Sequence, residues 1–321
     1  MAAIKRLSIL FVCLCGGLPP ARGDDRLAES ERRAVDFLAR EAAAWPAENK
    51  CYSCHNNGDA ARAVYAAIKL GYESPRARFR ETTDWLSRPG EWRRAETPPE
   101  FRDDRLSAVQ FSAALVSAID AACIQDRQTL IAAAELTAAE QDADGSWHVD
   151  ESGQAGSPVT YGRALATWSA RRTLLATGAA KFHDAAAKAG DWLRAHEART
   201  TPDAAAALLA LADARDAAAV ERRQQAFETL RRARTGEGGW GPYPRSPAEV
   251  FDTAVALLAL AAQERTAETD AMLLAGRKYL LDEQLDDGSW IETTRPSGAR
   301  SYAQRLSTSG WATLALLATR R

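Results

Sequence analysis

The sequence has no sustained basic stripe, and its 321 residues carry a formal net charge of only −2. Nucleic acid is therefore not an expected partner, because phosphate binding draws on clustered Lys and Arg. β-Branched residues are sparse beside Ala and Leu, which favours helices over extended strands. After residue 23 no apolar run is long enough to cross a bilayer, so no transmembrane segment is expected. Methionine occurs only as Met1 and Met272, and cysteine only five times.

The N-terminus reads as an address. Lys5 and Arg6 form a basic start, Leu7 to Cys15 is apolar but short, and Ala21-Arg22-Gly23 supplies small residues for a peptidase. This is the pattern of a secretory signal, with cleavage expected near Gly23 and a periplasmic or secreted mature chain, 24–321. Cleavage removes Lys5, Arg6 and Arg22 and no acid, taking the formal charge from −2 to −5. Three cysteines then remain, an odd number that argues against a disulfide framework. Cys123, in an Ala-rich stretch, is expected to be a small buried helical residue.

What is plentiful is tryptophan, nine residues, and its spacing organises the chain. Trp45, Trp92, Trp147, Trp240 and Trp290 follow one another at intervals of 47, 55, 93 and 50 residues. The 93-residue gap is nearly two periods, and a degenerate unit fits within it around Asp191-Trp192. Six units of about fifty residues result. Each has a more charged helix, a polar turn holding Trp, and a more apolar second helix. Ala254 to Leu260 is apolar almost all round and must be buried on most sides. The expectation is all-α: six inner helices inside six outer ones, with the Trp turns on one rim.

Gln141-Asp142-Ala143-Asp144-Gly145-Ser146-Trp147 and Gln284-Leu285-Asp286-Asp287-Gly288-Ser289-Trp290 resemble the QW motif of squalene-hopene cyclases and related prenyltransferases. Ser307 to Leu317 resembles the last helix of that family. The resemblance covers roughly residues 30–321 and implies an (α/α)6 toroid. It also implies a structural role for the motif: Gln bonds backbone at a helix end and Trp packs on the neighbouring turn.

Hopene cyclases start catalysis from an Asp in an Asp-Xaa-Asp-Asp-Thr-Ala motif. The matching segment is Glu249-Val250-Phe251-Asp252-Thr253-Ala254. Phe251 stands at the donor position and has no proton to give, so cyclisation is not expected despite the shared fold. Asp252 and Thr253 read instead as helix caps. The zinc-binding residues of the transferase branch and the Cys-Gly-Glu-Gln of thioester domains have no counterpart.

Cys51-Tyr52-Ser53-Cys54-His55 is the attachment signature for haem c. Two thiols two residues apart reach two vinyl groups, and the adjoining His binds the iron. A Cys51–Cys54 disulfide, or a zinc site using Cys51, Cys54 and His55, are the alternatives. Asn56-Asn57-Gly58-Asp59 reads as a loop leading into a helix over 60–70. For a distal iron ligand, His148 ranks first, an open position second and His196 third; His183 and Met272 are expected on connections at the opposite rim. The functions in view are electron transfer or redox sensing with a partner protein, binding of an isoprenoid or other apolar ligand, and a secreted enzyme using acids such as Asp150, Glu151, Glu249 and Asp252. The charged segment Arg93 to Arg105, with Pro98 and Pro99, reads as a solvated loop near the cavity mouth.

Overall fold

A computed structural model describes residues 22–72, 77–93, 103–149, 153–295 and 297–320. Most of the expected signal segment, Asp150, Glu151 and residues 94–102 lie outside the described residues. Among those described there are twelve α-helices and no β-strand. They form six pairs: α1 (Arg22–Asn49) with α2 (Ala61–Lys69), α3 (Arg80–Leu86) with α4 (Asp104–Asp120), and α5 (Arg127–Ala139) with α6 (Gly162–Ala176). The series continues with α7 (His183–Ala195) and α8 (Thr201–Ala210), α9 (Ala217–Ala233) and α10 (Val250–Ala261), and α11 (Ala267–Asp282) and α12 (Tyr302–Ala318).

The even-numbered helices form a closed inner ring. Each touches the one before and the one after, and α12 returns to α2. Burial separates the two rings. In α10 every residue from Val250 to Leu257 is buried, whereas α9 buries Ala219, Ala226, Leu230 and Ala233, spaced to share one stripe. Local signals start the helices. Asp103, Asp126, Asp216, Thr266 and Ser301 each accept a backbone N–H of the first turn, and Thr200 with Asp203 forms a capping box.

The tryptophan turns weld the rings together in one repeated way. The Nε1 of Trp147, Trp240 and Trp290 donates to the carbonyl of Thr137, Leu230 and Leu280, each at 2.8 Å, capping the end of the preceding outer helix. Their backbone N–H groups donate to Thr167, Thr253 and Ser309 on the following inner helix. Gln141 and Gln284 then reach Ala185 and Ser30, on the next outer helix. Since Ser30 lies in α1, the last unit is tied to the first and the ring is closed. Gly288, at φ +90°, is pressed so close that a Cβ there would lie 2.3 Å from the Arg33 carbonyl oxygen.

Several expectations change in detail. Trp45 lies inside α1 and so does not occupy a turn. Met272 is buried within α11, because that outer helix starts earlier than its polar N-terminal sequence suggests. Cys123 follows the end of α4 and is half-buried in the connection to α5. Asn56 to Asp59 form a π-helical turn, Cys54–Ala60, continuous with α2. Thr253 holds Trp240 and does not cap α10.

Candidate functional site

The π turn sits on the rim that carries the tryptophan turns, squeezed between α4 and α12. Its wider winding admits an extra residue per turn, a feature frequent at functional sites. Two asparagines fasten it to α1: Asn56 Nδ2 donates to the Glu41 carbonyl at 3.3 Å, and Asn57 Nδ2 to the Ala42 carbonyl at 3.2 Å. Ser53 starts the turn, its hydroxyl accepting His55 N–H at 3.2 Å. Gly58 faces Gln110, where a Cβ would come within 3.1 Å of the Gln110 Cβ. The turn is thereby locked by neighbours on three sides.

The three motif residues take different positions. Cys51 is exposed, Cys54 and His55 are half-buried, and both thiols are free. The His55 ring points its Nδ1 at Ser307 Oγ, 3.1 Å away, while Nε2 lies 3.9 Å from Cys54 Sγ. Burial lowers His55 to a pKa of about 4, and burial, aided by Asp59 and Asp103, raises Cys54 to about 12. His55 is therefore a neutral imidazole and Cys54 a thiol at ordinary pH. Among the described residues no three His, Cys, Asp or Glu side chains converge as a metal ion would require, so the zinc alternative finds no ligand set.

Behind His55 lies a polar hub that the sequence did not reveal. Asp59, 2% exposed, accepts from Ser307 Oγ at 2.7 Å, from Gln110 Nε2 at 3.1 Å and from the Tyr161 hydroxyl. Those partners come from α12, α4 and the residue before α6. Tyr161 holds φ +63°, a left-handed conformation that a bulky residue adopts at a cost. Gly156 makes room for it, since a Cβ there would lie 2.1 Å from the Tyr161 carbonyl oxygen.

In a ring of six, α6 stands opposite α12. Tyr161 nevertheless packs edge-on against Trp311 of α12, with ring centroids 5.1 Å apart. Phe251 meets the same indole at 5.7 Å, and the Arg62 guanidinium stacks over it at 4.2 Å. Trp311 of α12 is thus met by side chains from α2 and α10 and, across the ring, by Tyr161. Arg62 also draws Asp59 toward its charged form.

Asp59 carries a pH signature. Burial pushes its pKa up to about 7 from an ordinary 3.8, against the pull of Tyr161, Ser307 and Arg62. The folded chain then holds a proton that the unfolded chain has released. Stability tied to this group is full below the unfolded value and falls as pH rises from about 4 to about 7. Asp59→Asn should flatten that fall by on the order of 4 kcal/mol across the window. Urea denaturation at several pH values reads this directly, and an unchanged slope in the variant would count against a buried, proton-holding Asp59.

Asp252, fully buried, does not stand free as a proton donor. Arg295 Nη2 donates to both its oxygens at 3.0 Å and to the Gly156 carbonyl at 2.9 Å, while Nη1 donates to Glu249 at 2.7 Å. Burial raises Asp252 to about 7 despite that cation. The remaining candidates are dispersed. His148 is exposed on the same rim, its N–H bonded to Asp142 and its carbonyl to Arg105. His196 stacks on Trp192 at 4.4 Å, with Nε2 3.5 Å from Asp203. No contact among the described residues brings His148 or His196 to His55. His183 begins α7 on the opposite rim, as expected.

Solved structures share this architecture. Type II terpene cyclase MstE from Scytonema matches with a TM-score of 0.60 and 15% identity over 91% of this chain and 98% of that one. A wild-type glycosidase matches at 0.61 and 14%, over 93% and 98%. A protein from Actinoplanes matches at 0.59 and 17%, over 91% and 99%. The chain is an α/α toroid. No family model and no curated protein matches it. At these identities the likeness is one of fold, and toroids of this shape serve unrelated chemistries. The site residues must therefore carry any functional reading of this toroid.

Proposed function

We propose that this toroid is an exported haem c protein, with haem attached through Cys51 and Cys54 and ligated by His55, serving electron transfer or redox sensing. The observation that carries the reading is the polarity of His55. Its Nδ1 is turned inward to Ser307, leaving Nε2 on the side of the Cys54 thiol. A proximal ligand needs this arrangement: one ring nitrogen held by the protein and the other directed to the metal. The donor set fits as well, since both thiols are free and Cys51 is at the surface. Each thiol would add its S–H across a vinyl double bond, forming a thioether with no atom lost and no oxidant consumed. The bound group would supply a one-electron couple at its iron.

Terpene cyclisation gains no support. Phe251 has no acidic proton, and Asp252 is engaged by Arg295 from both oxygens. An isoprenoid or other apolar ligand along the axis would have to displace Tyr161, Phe251 and Trp311, all fully buried. His148, exposed on the rim of His55, remains the proposed distal ligand, with an open sixth position as the alternative. Two histidines would suit electron transfer, and an open position would suit sensing or peroxide chemistry.

The test is a pyridine haemochrome assay on protein produced with the haem-attachment machinery and directed out of the cytoplasm. One covalent haem per chain is expected, and its loss in Cys51→Ser/Cys54→Ser. Wild-type protein that stays colourless, with Cys51 open to alkylation, rules the proposal out.

A further inference from the structure

The hydrogens around Asp59 can be counted. Gln110 Nε2 lies 3.1 Å from Asp59 Oδ2 and 3.2 Å from the Val159 carbonyl. A carbonyl can only accept, so the amide nitrogen is correctly oriented and donates to Oδ2. Oδ2 is therefore an acceptor, whether Asp59 is ionised or carries a proton on Oδ1 facing Tyr161. The Ser307 hydroxyl, 2.7 Å away, donates to Oδ2. A hydroxyl has one hydrogen, and this bond uses it. Facing His55 at 3.1 Å, Ser307 Oγ can only accept, so Nδ1 must carry the ring proton.

We infer that Asp59, acting through Ser307, is the positioning residue that fixes His55 as its Nδ1–H tautomer and holds Nε2 as a free lone pair for iron. The inference rests on the haem reading only for what Nε2 binds; the tautomer belongs to the chain itself. Ser307 comes from α12 and Asp59 from the π turn, so closing the ring also sets the histidine. The carboxyl is 2% exposed and Ser307 fully buried, so water does not compete for these bonds. A carboxyl-backed imidazole is a stronger donor and stabilises the oxidised metal. Its effect on a bound haem is a lower reduction potential than His55 alone would give.

Two readouts separate the relay from the haem reading. In protein without haem, labelled with 15N-histidine, long-range 1H–15N spectra at neutral pH should show His55 with its proton on Nδ1. Ser307→Ala, which leaves Asp59 bonded to Gln110 and Tyr161, should release it to a mixture or to the Nε2–H form. Ser307→Thr should restore Nδ1–H. In haem-loaded protein, Asp59→Asn and Ser307→Ala should both move the midpoint potential upward, with Ser307→Thr near wild type. If Asp59→Asn fails to fold, the Ser307 pair carries the test. Wild-type His55 found as the Nε2–H tautomer, or a potential indifferent to Ser307→Ala, overturns the relay. Nδ1–H in wild type with no haem ever attached upholds the relay and removes the haem reading.

Discussion

Replacing Trp290 by Ala should lower folding stability by about 4 kcal/mol, within the range for truncating a fully buried Trp. Its side chain is wholly buried. Its Nε1 closes the last turn of α11 through the Leu280 carbonyl at 2.8 Å, and its N–H takes Ser309 from α12. The indole thus fills a core volume and caps a helix end at once. The position matters further because the same turn joins the last unit to the first: Gln284 donates to Ser30 in α1, and Gly288 lies against the Arg33 carbonyl. Loosening it opens the ring where chain connectivity gives no support. Trp290→Phe keeps most of the buried area but leaves Leu280 without its donor, and should cost about 1–3 kcal/mol. Urea denaturation followed by circular dichroism reads both. A loss below about 1 kcal/mol in Trp290→Ala would mean the turn does not close the ring as described.

Arg295→Ala should cost about 3–5 kcal/mol, the range for stripping one partner from a buried ion pair. The desolvation is severe: Arg295 is 13% exposed and Asp252 not at all. Arg295 also spans three elements, bonding Asp252 at the start of α10, Gly156 in the loop before α6, and through its own carbonyl Gln304 of α12. Without the guanidinium, Asp252 keeps the burial that raises its pKa and loses the charge that lowers it. The penalty should therefore be smaller in acid and grow as pH rises and the carboxyl is driven to ionise. The double variant Arg295→Ala/Asp252→Asn should recover part of the loss at neutral pH, because no buried charge is then left unpaired. A double variant no more stable than Arg295→Ala would place the effect in packing instead of charge.

The fold was legible in the sequence where the signal is local. Gly145-Ser146-Trp147 and Gly288-Ser289-Trp290 place a turn, a cap and a buried ring within eight residues of a helix end, and the same two Trp bonds recur in both turns. Trp45 fits the period but sits within a helix, since a period marks the unit and not the side chain's place in it. The polar core was not legible. Asp59 meets Tyr161 and Ser307, residues 102 and 248 positions away, and no periodicity links them. Asp252 looked like a cap because its partner Arg295 lies in a loop 43 residues on. His55 stood out through its motif, but the hydroxyl that orients it became visible only when α12 returned to the first unit.

The most direct measurement is the intact mass of the mature, exported protein. A chain beginning near residue 24 is expected, heavier by one haem, with the added mass resistant to denaturation and absent from Cys51→Ser/Cys54→Ser. An exported chain of unmodified mass, with both thiols free to alkylate after co-production with the attachment machinery, would contradict the haem proposal.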